Sequence, residues 1–359
     1  MEDNDDDKLD TEFWGHEEKI VKMEVKPPPK STGITFQDYG ISPSMPLMHN
    51  KFIGQSRRLK DLEINELLYV VLSCLSILAT IVLSIYKMTT ISTSDSDFTF
   101  ALILIVNAIF CTFYVVHGVL KERAYEIVIF MIAIFGILLY SIVNYSVQVD
   151  TRGPVKLSRL IIVCVMSPVL IGLSGWIGWG YNSSGNLIFR TIGANSELQS
   201  ICKKLLMFLD CLKLDLQLGI SMVIFILNSG FKINNEDIVI LSVGGVITLI
   251  WFGVGYFSTR YEDKVGSWIF IIGAPVEPAY VIFKMNQSVQ EAGKAQGDLV
   301  AATIAAGVLA LVTRSVLMIL LYLVYRNYGK GLKEKEFGIT EPPTNPTNES
   351  TVNNQSNNQ

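Results

Sequence analysis

Long apolar stretches separated by short polar ones are the main pattern along this chain. Each is close to the roughly 20 residues that a helix needs to cross the hydrocarbon core of a membrane. Eight of them recur, at residues 67–86, 98–120, 124–147, 160–179, 205–227, 238–257, 268–283 and 299–324. The pattern predicts an all-α, polytopic membrane helical bundle with about eight transmembrane helices.

Composition supports this class and divides the chain into three parts. Half of the 359 residues are hydrophobic and only 17% are charged, with the charges concentrated in the two ends and the short loops. We expect a transmembrane domain at residues 63–328, because the flanking segments, 1–62 and 329–359, lack apolar periodicity and are acidic or rich in Asn, Thr and Pro. Both flanks are predicted to be disordered tails.

The inventory of reactive residues excludes several classes of site. The five cysteines lack CxxC spacing and the three histidines lie in separate regions, so we expect no disulfide framework, metal site or cofactor. The net charge of -4 comes largely from the N-terminal segment, so no basic face indicates nucleic acid as a partner.

The distribution of Lys and Arg beside the spans predicts the orientation in the membrane. With a cytosolic N-terminus, 15 basic residues fall on the inner side and 7 on the outer side. Cytosolic loops carry the excess of Lys and Arg in membrane proteins. Both termini are therefore predicted to be cytosolic.

The fifth apolar stretch carries charges into the membrane. From Asp215 to Leu227 it spans only about 20 Å of helix, which is shorter than a hydrocarbon core of about 30 Å, so Asp215 must lie below the headgroups. Helical spacing places Asp210, Lys213 and Gln217 on one face, and Asp215 points away from them. We therefore expect Asp215 to need a partner of its own.

An amphipathic segment precedes these charges. Ser196 and Gln199 have the spacing of a capping box, which predicts that a helix begins there. The apolar face that follows indicates a helix on the membrane surface that either turns into the membrane or continues through it.

Two further spans contain charged residues. Glu277 lies between Pro275 and Pro278, so we expect that helix to be kinked or broken at Glu277. Arg314 lies about 18 Å from the basic end of its span and follows a face of small residues, so it should face protein. The candidate intramembrane charge network comprises Asp210, Lys213, Asp215, Gln217, Glu277 and Arg314.

This candidate network contains three acids and two bases, so one carboxylate has no cationic partner. One interpretation is structural: buried pairs, such as Lys213 with Asp210 and Arg314 with Asp215 or Glu277, fix the register of the helices. An unpaired charge at the bilayer centre costs at least about 2.5 to 3.5 kcal/mol. The other is that the remaining carboxylate takes part in ion or proton coupling. The sequence leaves both open.

Three stretches in this order carry a resemblance to a known group. They are Arg190 to Asn195 with Leu209 to Asp215, Arg260 to Lys264 with Ala279 to Lys284, and Arg326 to Lys333. Together they resemble the multi-spanning fungal proteins labelled Golgi apparatus membrane proteins, and related animal proteins of unknown function. The resemblance covers residues 190–335 and implies a Golgi or other endomembrane location rather than the plasma membrane.

We therefore predict a non-enzymatic, multi-pass membrane protein that acts as an organising or receptor-like bundle. The alternative is a secondary transporter or channel for a small solute or ion, with a site between the fifth, seventh and eighth helices. The lipid bilayer is the expected partner in both cases, and the sequence identifies no protein partner.

Overall fold

The fold was analysed in a computed structural model of the chain. It describes residues 48–50, 54–90, 96–147, 154–185, 188–189, 192–193, 195–225, 235–290, 297–331 and 337. The predicted N-terminal tail is outside these ranges as far as residue 47, and the predicted C-terminal tail contributes only residues 329–331 and 337.

Helices make up nearly all of the described structure. They are α1 (Ile64–Thr90), α2 (Ser96–Leu120), α3 (Ala124–Val147), α4 (Pro154–Ser184), α5 (Ser196–Ile224), α6 (Asn235–Arg260), α7 (Lys264–Gly273), α8 (Val276–Gln290) and α9 (Gly297–Tyr325). A two-stranded antiparallel hairpin, β1 (Met48–Asn50) and β2 (Gly54–Ser56), precedes them and pairs His49 with Gln55.

The predicted fold class, an all-α membrane helical bundle, is confirmed. Within the described residues, six helices are long and apolar enough to cross a membrane, and α7 and α8 together count as one of them, Lys264–Gln290. Helix α3 has a shorter apolar stretch, Ala124–Leu139. Helix α5 is long enough but carries the charges that the sequence indicated.

The helices form two groups of similar arrangement. In the first group α1 packs against α2 and α4, and α3 packs against α2 and α4. In the second group α5 packs against α6 and α9, while α7 packs against α6 and α8 against α9. The sequence showed no internal repeat, yet the order of neighbours is the same in both groups. Helix α5 joins them through contacts with α2 and α3.

Equivalent tight turns connect the second and third helices of each group. Glu122 (φ 47°) ends the turn after α2, and Glu262 (φ 54°) ends the turn after α6. In each turn the next residue donates its backbone N–H to the carbonyl five residues earlier, Arg123 to Gly118 and Asp263 to Ser258, both at 2.8 Å. A left-handed residue with such a bond is typical of the C-terminal end of a helix. At both turns the chain therefore passes from one helix to the next within three residues.

The N-cap of helix α5 lies one residue before the predicted capping box, and the helix runs without interruption from Ser196 to Ile224. The side chain of Asn195 accepts a hydrogen bond from the Leu198 amide at 3.1 Å, so Asn195 is the N-cap and Ser196 is not. Gln199 instead donates its amide to the Gly193 carbonyl at 2.5 Å. The sequence left open whether this segment turns into the membrane or continues through it. The structure shows one continuous helix, and its charged residues extend from the N-terminal end of α5 into the bundle.

The predicted break in the seventh span lies slightly earlier than expected. Helix α7 ends at Gly273 and α8 begins at Val276, so the interruption falls at Ala274 and Pro275 and not at Glu277 itself. Proline at position 275 lacks an N–H and cannot continue the hydrogen-bond pattern of α7. Glu277 therefore stands in the first turn of a new helix.

Contacts at one end of the bundle bring several turns together. The Arg57 amide bonds the Leu120 carbonyl at 2.9 Å, which places the start of α1 beside the α2–α3 turn. Lys203 of α5 bonds Asn182 of α4 at 3.3 Å, and Lys330, after α9, bonds Glu197 at 2.7 Å. The start of α1 and the end of α9 therefore lie at the same end of the bundle.

Candidate functional site

The first buried charge cluster joins the α2–α3 turn to α5. It comprises His117, Arg123, Glu126, Asp210 and Lys213, and we call it the Asp210 cluster. Asp210 accepts hydrogen bonds from Arg123 at 2.8 Å and from Lys213 at 3.0 Å. Lys213 also bonds Glu126, whose side chain is fully buried in α3. His117 Nδ1 lies 2.7 and 2.8 Å from the two Glu126 oxygens.

Charges balance within the Asp210 cluster. Two carboxylates, Glu126 and Asp210, face one guanidinium and one ammonium, Arg123 and Lys213. Charges that are buried in a low-dielectric interior stabilise the fold only when they are paired with good geometry. The cluster therefore fastens the helices together, because removal of any one of these four charged side chains would leave an opposite charge uncompensated.

The second cluster, which we call the Arg314 triad, consists of Asp215, Glu277 and Arg314. Arg314 Nη1 of α9 lies 3.2 Å from Asp215 Oδ2 of α5, and its Nη2 contacts Glu277 Oε2 of α8. The triad thus joins three helices of the second group. Asp215 follows Asp210 by five residues, about 7 Å along α5, and points to a different neighbour, so the two clusters lie on separate faces of one helix.

The Arg314 triad is unbalanced, with two carboxylates and one guanidinium. The side chain of Glu277 is 22% exposed, against 7% for Asp215. Glu277 also lines an apolar cavity of about 450 Å³ between α6 and the α7–α8 break. Glu277 is thus the more exposed acid of the triad, beside a cavity whose other lining residues are mostly apolar.

The side chains of Thr248 and Glu277 lie close to the backbone of α5 at Gly219. A Cβ atom built on Gly219 of α5 would lie 2.9 Å from the Thr248 methyl group and 3.1 Å from Glu277 Oε1. Glycine at position 219 therefore lets α5 approach α6 and α8 at the level of the triad. A side chain there would displace the carboxylate.

The six residues of the predicted network do not form one assembly. Asp210 and Lys213 belong to the Asp210 cluster, whereas Asp215, Glu277 and Arg314 form the triad. Gln217 joins neither: its amide donates to Asn107 of α2, which also lies 3.4 Å from Ser221. Gln217 therefore tightens the contact between α2 and α5.

Sequence reasoning missed three of the five members of the Asp210 cluster, namely His117, Arg123 and Glu126. Arg123 belongs to the polar turn Lys121 to Arg123, and Glu126 follows it closely; a short run of charges between two spans is typical of a solvated loop. Arg123 and Glu126 are three residues apart, as adjacent residues on a helix face are, which was the available signal. Their burial depends on how α3 packs against α5, and the spacing of residues in the sequence does not predict that packing.

A third group of charges lies at the end of the bundle. Arg57 bonds Glu66 at 2.8 Å and lies 3.1 Å from Glu122, and the Tyr181 hydroxyl donates to Glu66 at 2.5 Å. Burial lowers the pKa of Arg57, but the hydrogen bond to Glu66 and the charge of Glu122 outweigh it, so the pKa is raised. These four residues, the Arg57 cluster, join α1, the α2–α3 turn and α4.

The acids and histidines of these clusters do not form a metal-binding arrangement. Among the residues that the structure describes, no group of three or more His, Cys, Asp or Glu side chains has an arrangement suited to a metal ion. All five cysteines are free thiols. The chemistry that the two buried clusters can offer is therefore charge pairing and, at Glu277, proton or cation exchange.

The fold and these clusters define a polytopic helical membrane protein with ionised side chains inside its bundle. Residues 53–179 and 192–323 match the family described as "Domain of unknown function (DUF7789)". Because the match covers more than half of the chain, the protein belongs to the DUF7789 family. No curated protein and no solved structure matched the chain.

Proposed function

We propose that this protein is a non-enzymatic, receptor-like membrane bundle that organises other components of its membrane. The observation that supports this most strongly is the Asp210 cluster. Its acids and bases are buried, balanced and bonded to one another across α2, α3 and α5, which is the arrangement of a structural fastening. A rigid bundle of this kind presents fixed surfaces to partners in the membrane.

Proximity labelling in cells tests the receptor-like function. The full chain fused to a labelling enzyme should mark a reproducible set of neighbours. The same set should persist with Glu277→Gln, since this change leaves the Asp210 cluster intact. A labelled set no different from that of an unrelated membrane protein of the same compartment would contradict the proposal.

A secondary transporter or channel is the second candidate function. The specific observation in its favour is the additional carboxylate of the Arg314 triad together with the partial exposure of Glu277. Ionisable groups inside a membrane bundle commonly mark ion pathways and proton relays. The interruption between α7 and α8 beside Glu277 is also typical of discontinuous helices at transport sites.

A flux measurement separates the two candidates. The full chain in proteoliposomes that contain a pH-sensitive dye should show no more proton or cation flux than protein-free vesicles if the bundle is receptor-like. A flux above that level which disappears in Asp215→Asn or Glu277→Gln, with equal amounts of folded protein, would establish transport instead.

We further propose that the protein resides in the Golgi or another endomembrane compartment with both termini cytosolic. The resemblance described above supports the compartment, and the excess of basic residues on one side supports the orientation. An epitope at either terminus should be accessible after selective permeabilisation of the plasma membrane. Glycosylation of Asn182, in the sequon Asn-Ser-Ser, would contradict this orientation.

A further inference from the structure

The cavity beside Glu277 lies where the broken span changes its neighbour. Helix α7 packs against α6, whereas α8 packs against α9. At the break between them, a cavity of about 450 Å³ separates α6 from the start of α8. Cavities of this size accommodate small molecules.

This cavity is open to the membrane, and its walls are mostly apolar. Val243 and Ile247 of α6 and Val276 of α8 line it and are 50%, 51% and 66% exposed at the surface of the bundle. Val223 of α5 is buried and lines its inner side. A ligand therefore enters from the lipid phase, and most of its surface must be apolar.

A single carboxylate meets this apolar space. Among the lining residues that the structure describes, Glu277 alone is charged, and the Thr248 hydroxyl already donates to the Gly244 carbonyl at 2.9 Å. Glu277 Oε2 contacts Arg314, whereas Oε1 lies beside Thr248, next to Gly219 of α5. Because an ionised carboxylate only accepts hydrogen bonds, a ligand group at this point must be a donor.

The charge of the Arg314 triad indicates that this donor is cationic. Arg314 contacts both Asp215 and Glu277, so neither acid is isolated, but one guanidinium balances only one of two negative charges. Lys284, the next cation along α8, is seven residues from Glu277, about 10 Å of helix, and its ammonium bonds Gln287 at 3.2 Å. A second cation beside Glu277 would bring the triad to balance, and buried charges are stable when they are paired.

Aromatic side chains line the same cavity, Trp251 from α6 and Tyr280 from α8. Trp251 stacks on Phe270 with ring centroids 5.5 Å apart, and its ring leaves no room for a Cβ atom at Gly273. The faces of aromatic rings attract ammonium groups. A carboxylate and aromatic rings within an apolar cavity together suit a protonated amine.

We propose that this cavity binds a lipophilic amine, a molecule with one protonated amino group on an apolar body. The ammonium group would donate to Glu277, and the apolar body would lie against Ile247 and Val276. The site does not depend on the proposed function, because the same cavity would serve a receptor as a ligand site and a transporter as a substrate site.

Photolabelling in nanodiscs tests the site. The full chain in phosphatidylcholine nanodiscs is exposed to a long-chain alkylamine with a diazirine on its chain, or to the alcohol with the same chain and diazirine. Labelled peptides are mapped by mass spectrometry and expressed relative to α1, whose apolar face is exposed to the same lipid and corrects for partitioning of the two probes.

The amine should label the peptides of the cavity about tenfold more strongly than the alcohol, since the ammonium adds its charge to the hydrogen bond that the alcohol also makes. Equal labelling by the two probes would overturn the proposal. It would mean that the triad is balanced in another way, for example by a proton on one of its acids.

Two substitutions address the carboxylate and the apolar wall separately. Glu277→Gln should reduce labelling by the amine to the level of the alcohol and leave labelling by the alcohol unchanged. Ile247→Trp, at an exposed position on the rim, should fill the cavity and remove both labels from it. Persistence of the amine preference in Glu277→Gln, or of the labels in Ile247→Trp, would contradict the site.

Matched controls lie elsewhere on the bundle. Glu197→Gln removes a surface acid, and Ile132→Trp enlarges an α3 side chain that is 46% exposed and does not line the cavity. Both controls should keep the labels and the amine preference of the unchanged chain. Loss of the preference in Glu197→Gln would indicate a general effect of charge and would overturn the assignment to this cavity.

Discussion

The Asp210 cluster and the Arg314 triad consist of the same types of side chain but differ in their balance of charge. Helix α5 supplies one aspartate to each, and both are buried. The Asp210 cluster matches each carboxylate with a cation, whereas the triad sets two carboxylates against a single guanidinium and leaves Glu277 partly exposed beside a cavity. The two clusters therefore differ in charge balance, and burial alone does not distinguish them.

The largest expected effect is that of Glu126→Gln in the balanced cluster. The change keeps the size of the side chain but leaves Arg123 and Lys213 opposite one carboxylate, and an uncompensated buried charge costs about 3 to 5 kcal/mol. We expect a large loss of folded protein and a lower unfolding temperature in nanodiscs. Glu197→Gln is the control, since Glu197 pairs with Lys330 at the surface and its removal should change neither measurement.

A smaller effect is expected from Gly219→Ala beside the triad. The added methyl group would lie 2.9 Å from the Thr248 methyl group and 3.1 Å from Glu277 Oε1, both closer than van der Waals contact, and overpacking of this kind costs about 1 to 3 kcal/mol. Thermal unfolding in nanodiscs measures it. Gly245→Ala in α6 provides the comparison, because a Cβ atom at Gly245 has no neighbour within 4 Å. Equal unfolding temperatures for the two variants would show that α5 does not approach α8 as closely as described.

A still smaller effect is expected in the Arg57 cluster. Tyr181→Phe removes the hydroxyl that donates to Glu66 and accepts from Arg57. We expect a loss of about 1 kcal/mol, since Arg57 and Glu66 remain paired and water at the end of the bundle can replace the hydroxyl. Tyr86→Phe, at an exposed tyrosine of α1, should be neutral. A loss of stability as large as that of Glu126→Gln would contradict this expectation. It would show that the Arg57 cluster contributes as much to stability as the Asp210 cluster.

The sequence predicts the fold more completely than the site. The lengths of the apolar stretches predicted where the helices lie, because the thickness of a bilayer sets the minimum length of a spanning helix. The same stretches drew attention to Asp215 and Arg314, since charged residues are rare within them. The break between α7 and α8 was recognisable from Pro275 and Pro278, although its position was displaced by two residues.

The rest of the site depends on packing between distant helices. Glu126 and Arg123 look like loop charges until α3 packs against α5, and the partner of Gln217 is Asn107, 110 residues away. The similar order of the two helix groups is also not apparent from the sequence, because it is a property of how the helices pack. The charges within the spans therefore suggested pairs among themselves, but not the partners that α3 and the turn before it contribute.

The most direct test compares Glu126→Gln and Glu277→Gln in the same nanodiscs. Both change one carboxylate to the amide of equal size, one in the balanced cluster and one in the unbalanced triad. If charge balance separates the two clusters, Glu126→Gln lowers the unfolding temperature strongly, while Glu277→Gln leaves the Asp215–Arg314 pair intact and changes stability by less than about 1 kcal/mol. Equal destabilisation by the two substitutions, or a larger loss with Glu277→Gln, would contradict the account.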